Sequence, residues 1–252
     1  MKKILPKNIA ECIIIWEIRK IALYIKSLTA ALFRYKQISL LRDAVRYFPK
    51  WYKSIKRNNN PLDYDQPWIV YKAKQFLDSI LHTDMTVWEY GSGSSTLYFA
   101  RRVKQVYSVE SDKLWFQHLQ ALIENQKTAN VCYMLAEADE PVDSEPDSIY
   151  ISQSSGDTNN KRFETYTKKI DDIPDNSLDL VLIDGRARRA CIMHAKQKVK
   201  PGGQMVVDNS DRNNYFEGNE DLFNPDCWKS IHFTGPVPYS FDFSKTSFFQ
   251  KR

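Results

Sequence analysis

From Met85 to Asn209, short runs rich in β-branched and aromatic residues alternate with segments of helical periodicity, and that alternation leaves few folds open. The runs are MTVWEY (85–90), QVYSVE (105–110), ANVCYML (129–135), LDLVLID (178–184) and GQMVVDN (203–209). Helix-compatible segments lie between them at 95–103, 113–126, 161–170 and 187–199. Such a pattern predicts a parallel sheet with right-handed crossovers. Two later runs, SIHFTG (230–235) and TSFFQK (246–251), are joined by PVPYSFDFSK, which has no helical spacing. They are expected as an antiparallel pair at the sheet edge.

The first quarter of the chain differs. Residues 8–57 have no Gly and one Pro, Pro49, and are rich in Ile, Leu, Ala, Lys and Arg, which predicts two or three helices. The polar stretch RNNNPLDYDQP (57–67) reads as a linker, so we expect a basic helical extension over 1–60 and an α/β domain over 61–252. Residues 1–60 hold 14 Lys and Arg against 3 Asp and Glu, whereas the remainder holds 22 against 28. Attraction to a polyanion is therefore expected only from the extension. Its second half, LRDAVRYFPKWYKSIKR, interleaves Arg42, Arg46, Lys50, Lys53, Lys56 and Arg57 with Tyr47, Phe48, Trp51 and Tyr52. That mixture suits an anionic membrane surface. It suits equally a helical cap on the main domain, or an arm that makes a homodimer.

Acidic and basic residues interrupt the apolar stretch of MKKILPKNIAECIIIWEIRK, and the longest uncharged run of the extension, Ser27 to Phe33, is too short to span a bilayer. Neither a signal peptide nor a transmembrane helix is expected. The cysteines Cys12, Cys132, Cys191 and Cys227 are scattered without metal-ligand spacing, as reduced structural thiols of a cytoplasmic protein would be.

Open parallel sheets bind ligands beyond the carboxyl ends of their strands. The first strand ends in VWEYGSGSST, which places Glu89 two residues before Gly91, with Gly93 next and Ser94, Ser95 and Thr96 opening a helix. A dinucleotide fingerprint would put its third glycine where Thr96 stands, so a pyrophosphate ligand is disfavoured. A carboxylate before the glycines suits a ligand ammonium, and the helix start suits a ligand carboxylate. The second strand ends in VYSVESD, with Glu110 at the offset where an acid binds a ribose diol.

EYGSGSST followed by YSVESD resembles motif I and the next acidic strand of class I S-adenosylmethionine-dependent methyltransferases. SLDLVLIDGRARRACIMHAKQKVKPGGQMVVDN is similar to strand 4, its helix, the PGG turn and strand 5 of the same superfamily, and the resemblance covers about residues 68–251. It implies a Rossmann-like α/β fold, a seven-stranded mostly parallel sheet with an antiparallel C-terminal pair, behind the helical N-terminal extension. It further implies that Glu89, Tyr90, Gly91, Gly93, Ser95, Glu110, Ser111 and Asp184 line the cofactor site, with an adenine contact near Glu137.

Asp184, Asp208 and Asn209 are similar to the acids and amide that hold a divalent cation in O-methyltransferases of the catechol and caffeoyl-CoA type, which implies Mg²⁺. Metal-free use of the same acids, with Asp184 as base or orienting group, is the alternative. Arg186, Arg188 and Arg189 follow in a loop placed to clamp an acceptor anion, Arg186 first among them. His194 and His118 read as helix-surface residues, and the polar segment 151–166 as a flap or an insertion. The expected activity is O-methylation of a small or glycan-like acceptor, with Asp184 and Arg186 catalytic and no nucleic-acid substrate. Its rivals are a nucleotide-dependent oxidoreductase and a non-enzymatic module whose basic extension binds RNA or lipid.

Overall fold

The computed structural model describes residues 7–55, 62, 66–140, 148–152 and 160–252. Two helices come first, α1 (Lys7–Tyr35) and α2 (Ser39–Ser54), then α3 (Tyr71–Ile80). Strand and helix alternate thereafter as β1 (Thr86–Tyr90), α4 (Ser94–Ala100), β2 (Gln105–Glu110), α5 (Lys113–Asn125), β3 (Val131–Leu135), α6 (Glu164–Lys168), β4 (Leu178–Ile183), α7 (Arg188–Lys198) and β5 (Val199–Val207). The strands β6 (Trp228–Pro236) and β7 (Phe243–Lys251) complete the chain. They form one sheet in the order β3-β2-β1-β4-β5-β7-β6, with β1 to β5 parallel and β7 antiparallel to both its neighbours.

The central strands carry apolar side chains to both faces, and every residue of β4 (LDLVLI) is buried. One face packs Trp88, Tyr90, Val181 and Ile183 against Tyr166, Cys191 and Ile192 of α6 and α7. The other packs Val87, Val106, Leu180 and Leu182 against Ala73 and Leu77 of α3 and Tyr98 and Phe99 of α4. This three-layer arrangement is what near-continuous apolar strands require.

Two expectations change in detail. The 161–170 helix is only α6 plus a 3₁₀ turn, Lys169–Asp172, and stops where Ile173 is extended ahead of Pro174. The PGG segment is not a turn before β5 but lies within it. Gly202 takes φ +80°, and the β4–β5 register shifts between Leu178 and Leu180, as in a bulge.

The aromatic residues expected at a membrane surface are turned inward. Tyr47 and Trp51 are buried and Phe48 and Tyr52 half-buried, in a cluster with Tyr24 of α1, Tyr71 of α3 and Phe243 of β7. Leu40, Ala44, Tyr47, Trp51 and Ser54 recur at helical spacing, so this face of α2 is a packing stripe. Trp51 Nε1 donates to the Ser240 carbonyl at 2.7 Å, and the Tyr239 N–H donates to Ser54 Oγ at 3.1 Å. Lys20, only 3% exposed, donates to the Ile55 carbonyl at 3.1 Å and pairs with Glu17 at 2.8 Å. The extension is thus a helical cap on the sheet. The linker and the boundary at 60 lie almost wholly outside the described residues, as does the middle of the 151–166 segment. No helix among the described residues is long and apolar enough to cross a membrane.

Replacing Trp51 with Ala removes a fully buried ring and its hydrogen bond and is expected to cost about 3–5 kcal/mol. Val45→Ala, on the exposed side of the same helix, is expected to change stability by less than about 0.5 kcal/mol. Urea unfolding of the two variants measures the difference.

Candidate functional site

Strand order reverses between β1 and β4, which opens a crevice beyond their carboxyl ends. The parallel pairing runs one residue past each strand: the Gly91 N–H donates to the Val109 carbonyl and the Asp184 N–H to the Tyr90 carbonyl, both at 3.0 Å. Gly91 sits at φ +86°, and a Cβ on it would lie 2.8 Å from Gly185 Cα. A Cβ on Gly185 would meet Gly91 N at 2.9 Å and collide with the Tyr166 hydroxyl. Only glycine satisfies both positions.

Glu89 lies beneath this loop, fully buried. Its Oε2 accepts from Thr96 Oγ1 at 2.5 Å and Ser108 Oγ at 2.7 Å, while Oε1 has no partner among the described residues. Thr96 Oγ1 also accepts from the Gly93 N–H at 3.1 Å. The residue that departs from the dinucleotide pattern therefore ties the loop to the acid under it. Burial pushes the Glu89 carboxyl up to about 7, against the lowering effect of the Ser95, Thr96 and Ser108 hydroxyls.

A cavity of about 450 Å³ opens above the loop. Of the residues the sequence nominated, Gly91, Gly93, Ser95, Glu110, Ser111, Asp184 and Arg186 line it. Glu89 and Tyr90 do not. Tyr90 points into the core, its hydroxyl donating to the Thr167 carbonyl at 2.5 Å. Direct contact of these two with a ligand is replaced by support from below. Glu137 is exposed and outside the cavity. Gly185 and Ser94 line it too, as do Trp68, Ser92, Asp112 and Trp115, which sequence reasoning passed over. Asp112 is the N-cap of α5, its Oδ1 accepting from the Trp115 N–H at 2.9 Å, and the Ser-Asp pair of VESD before an apolar run was the available signal.

Glu110 is already well bonded. Oε1 accepts from the Ser111 and Asp112 N–H groups at 2.6 and 2.8 Å, and Oε2 accepts from Ser92 N at 3.1 Å and Ser92 Oγ at 2.7 Å. Ser92 Oγ also lies 2.7 Å from the Tyr133 hydroxyl, so it keeps a partner if a ligand hydroxyl takes its place on Oε2.

A second cavity, about 800 Å³, adjoins the first through Asp184 and Trp68, which line both. Asp208, Asn209, Asp211, Arg212 and Asp242 contribute to it, and so does Arg34 from the end of α1. Between the two carboxylates at the strand ends lies Arg188. Its Nη2 pairs with Asp184 Oδ1 at 2.8 Å and donates to the Asp184 carbonyl, Nε donates to the Gly185 carbonyl and Nη1 to the Asp208 carbonyl. Burial raises the Asp184 carboxyl while Arg188, Arg186 and Arg212 hold it down. Burial, then Asp184, push Asp208 up to about 7, with Arg188 and the Thr246 hydroxyl (2.6 Å from Oδ1) opposing.

The metal reading does not fit these residues. Asp184 Oδ1 is held by a guanidinium, Asp208 Oδ1 by Thr246, and the Asn209 amide donates to Ser244 Oγ at 2.9 Å. A fixed cation already neutralises the strand ends where Mg²⁺ would need open oxygens. No group of three or more His, Cys, Asp or Glu suited to a metal occurs among the described residues. Of the three loop arginines, Arg186 lines the first cavity, while Arg188 is bound to the Asp184 carboxylate and three carbonyls and Arg189 pairs with Glu217 at 3.1 Å. His194 bridges Asp171 (2.9 Å) and the Tyr150 hydroxyl (3.3 Å) at the helix surface, and His118 is exposed, as expected.

Neither a protein-family model nor a curated protein matches the sequence. Solved structures do resemble the fold. An rRNA methylase from Streptococcus thermophilus aligns over 78% of this chain and 99% of its own, with TM-score 0.50 and 12% identity. The precorrin-6y C5,15-methyltransferase of Geobacter metallireducens aligns over 72% and 87% with TM-score 0.47 and 14% identity. TYW2 of M. jannaschii, solved in complex with AdoMet, aligns over 72% and 75% with TM-score 0.44 and 14% identity. At these identities the likeness is one of fold, and the fold is the Rossmann-like one of class I methyltransferases.

Glu89 and Asp208, both raised to about 7, hold their protons more tightly in the folded than in the unfolded chain. Folding then takes up protons between about pH 4 and 7, and stability is expected to fall as pH rises through that window. Glu89→Gln should remove on the order of 2–3 kcal/mol of that dependence, read from urea midpoints at pH 5 and pH 7.5.

Proposed function

We propose that this chain transfers a methyl group from S-adenosylmethionine to a hydroxyl of a small, glycan-like acceptor. The observation that carries the reading is the meeting of two cavities at one half-buried carboxylate, Asp184. The first cavity has the backbone cradle at Gly91 and Gly185 and the strand-end acid Glu110 that an aminoacyl-nucleoside needs. The second is lined by acids, arginines, Asn209 and serines beside Trp68, Val237, Pro238 and Phe243.

When bound, S-adenosylmethionine supplies a methyl group already activated by its sulfonium, so the protein's work is to orient the acceptor and exclude water. Glu110 would hold the ribose of that group, with Ser92 free to release Oε2 because its hydroxyl keeps Tyr133 as a partner. Asp184, its Oδ1 fixed by Arg188, orients the acceptor hydroxyl with Oδ2. Asp208, with its carboxyl near 7, takes up the proton the hydroxyl gives up, and Arg188 stabilises the charge that develops between the two acids.

An oxidoreductase reading is weakened by Thr96, whose buried side chain fills the place where a dinucleotide loop needs glycine. The rRNA methylase of like fold makes a nucleic-acid acceptor the second reading. Against it, Asp184, Asp208, Asp211 and Asp242 line the acceptor cavity, and Arg34, Arg212 and the Arg188 that pairs with Asp184 leave it without the excess of cations that a phosphate backbone needs.

Calorimetry of the full chain with S-adenosylhomocysteine is expected to show binding, and NAD none. Glu110→Ala should weaken that binding at least about tenfold. Asp184→Asn should leave it within about threefold while lowering methyl transfer to an accepting sugar, followed with a tritiated methyl group, by about 10²-fold or more. Absence of heat with S-adenosylhomocysteine would remove the reading.

A further inference from the structure

We infer that the outward face of the α1–α2 pair docks on an anionic lipid surface. The inner faces of both helices are used up on the protein, but the outer faces carry, beside their charges, large apolar side chains that none of the described residues covers. On α1, Ile14, Ile18 and Ile25 are 57–63% exposed and recur along one stripe, while Lys20, Tyr24 and Ala31 on the opposite side are buried. The stripe continues across the short connection through Phe33, Ile38 and Val45, each 77–83% exposed. Isolated exposed aliphatics are ordinary on a protein surface, but a run of them along two consecutive helices is not.

The charges beside the stripe have one sign. Arg19 and Lys26 flank it on α1, and Arg42, Arg46, Lys50 and Lys53 share the solvent side of α2. Of the acids of these helices among residues 14–55, Asp43 is buried against Lys72, and Glu17 is engaged by Lys20 and Tyr52. An aliphatic ridge bordered by cations complements lipid tails at headgroup depth and the phosphates around them. A second copy of this chain would bring like charges together across the same face. A nucleic acid would match the cations and leave the aliphatic ridge in water, and with Tyr47 and Trp51 buried it would find on this face, among the described residues, one exposed ring to stack on, Phe33. Because the buried faces of both helices pack on the sheet, the pair lies along the surface rather than entering it.

Co-sedimentation of the full-length protein with vesicles tests this, using phosphatidylcholine alone and phosphatidylcholine mixed with phosphatidylglycerol. Binding is expected to the mixed vesicles and not to the neutral ones, and to weaken with salt. The double variant Ile18→Asn/Ile25→Asn keeps every charge and changes exposed positions only, so it should fold normally, bind S-adenosylhomocysteine as the parent does, and lose at least about tenfold in vesicle partition. Arg42→Glu/Arg46→Glu should lose a comparable factor. The inference fails if the parent does not sediment with mixed vesicles, if the isoleucine variant sediments as the parent does, or if the parent is a dimer that the isoleucine variant converts to a monomer. It fails also if RNA, and not vesicles, binds in an Arg42- and Arg46-dependent way.

Discussion

The contact between the Gly91 and Gly185 backbones is the constraint from which the site follows. Two parallel strands ordinarily diverge where their loops begin, because side chains keep the backbones apart. Here neither residue has a Cβ, and hydrogen bonds from Gly91 N to Val109 and from Asp184 N to Tyr90 carry the sheet one residue further. The ligand-facing loop and Asp184 are therefore as rigid as the sheet that bears them, which is what a site needs to hold two reactants in register. Tyr166 closes the space on the α6 side and leaves no room for a larger residue at 185. Glu89, with Thr96 and Ser108, fastens the loop from below.

That rigidity concentrates charge. Asp184 and Asp208 end neighbouring strands, and burial makes two carboxylates there costly. Arg188 resolves the conflict by donating to both strand ends, so a side chain supplies the positive charge that a metal supplies elsewhere. The exchange has a chemical consequence. A guanidinium stays charged and has no open coordination position, so it stabilises an anion without activating a bound hydroxyl directly. On the proposed reading, proton removal would fall to a carboxylate, and Asp208 is the one that burial raises toward neutrality.

The sheet was legible because β-branched runs such as LDLVLI and QMVV are too short and too apolar for anything but buried strands. Gly91, Gly93, Glu110 and Asp184 were legible because strand ends are where such sheets bind ligands. What escaped was whatever packing decides. Alternation does not say that Glu89 turns under the loop while Glu110 turns over it. The aromatic stripe of α2 announced a buried face but not what would bury it, and a membrane and the β6–β7 connection produce the same pattern. Arg188 was legible as a charged loop residue, yet its role rests on three carbonyls that only the folded strand ends bring together. Trp68 and Arg34 reach the cavities from segments with no motif at all.

The helical extension is part of the second cavity rather than an addition to it. Arg34 lines that cavity and pairs with Asp211 at 3.2 Å, and the Tyr35 hydroxyl reaches the same carboxylate at 3.1 Å. Trp51 and Ser54 hold the Tyr239–Ser240 backbone, and the connection to which it belongs supplies Val237, Pro238, Ser240 and Asp242 to the wall, with Phe243 and Ser244 from the start of β7. The first cavity, by contrast, is lined entirely by residues between Trp68 and Arg186. The two cavities thus depend on different parts of the chain. The first belongs to the sheet, whereas the shape of the second is set where the N-terminal helices meet the β6–β7 connection, so on the proposed reading a change in those helices would alter acceptor choice without reaching Gly91 or Glu110.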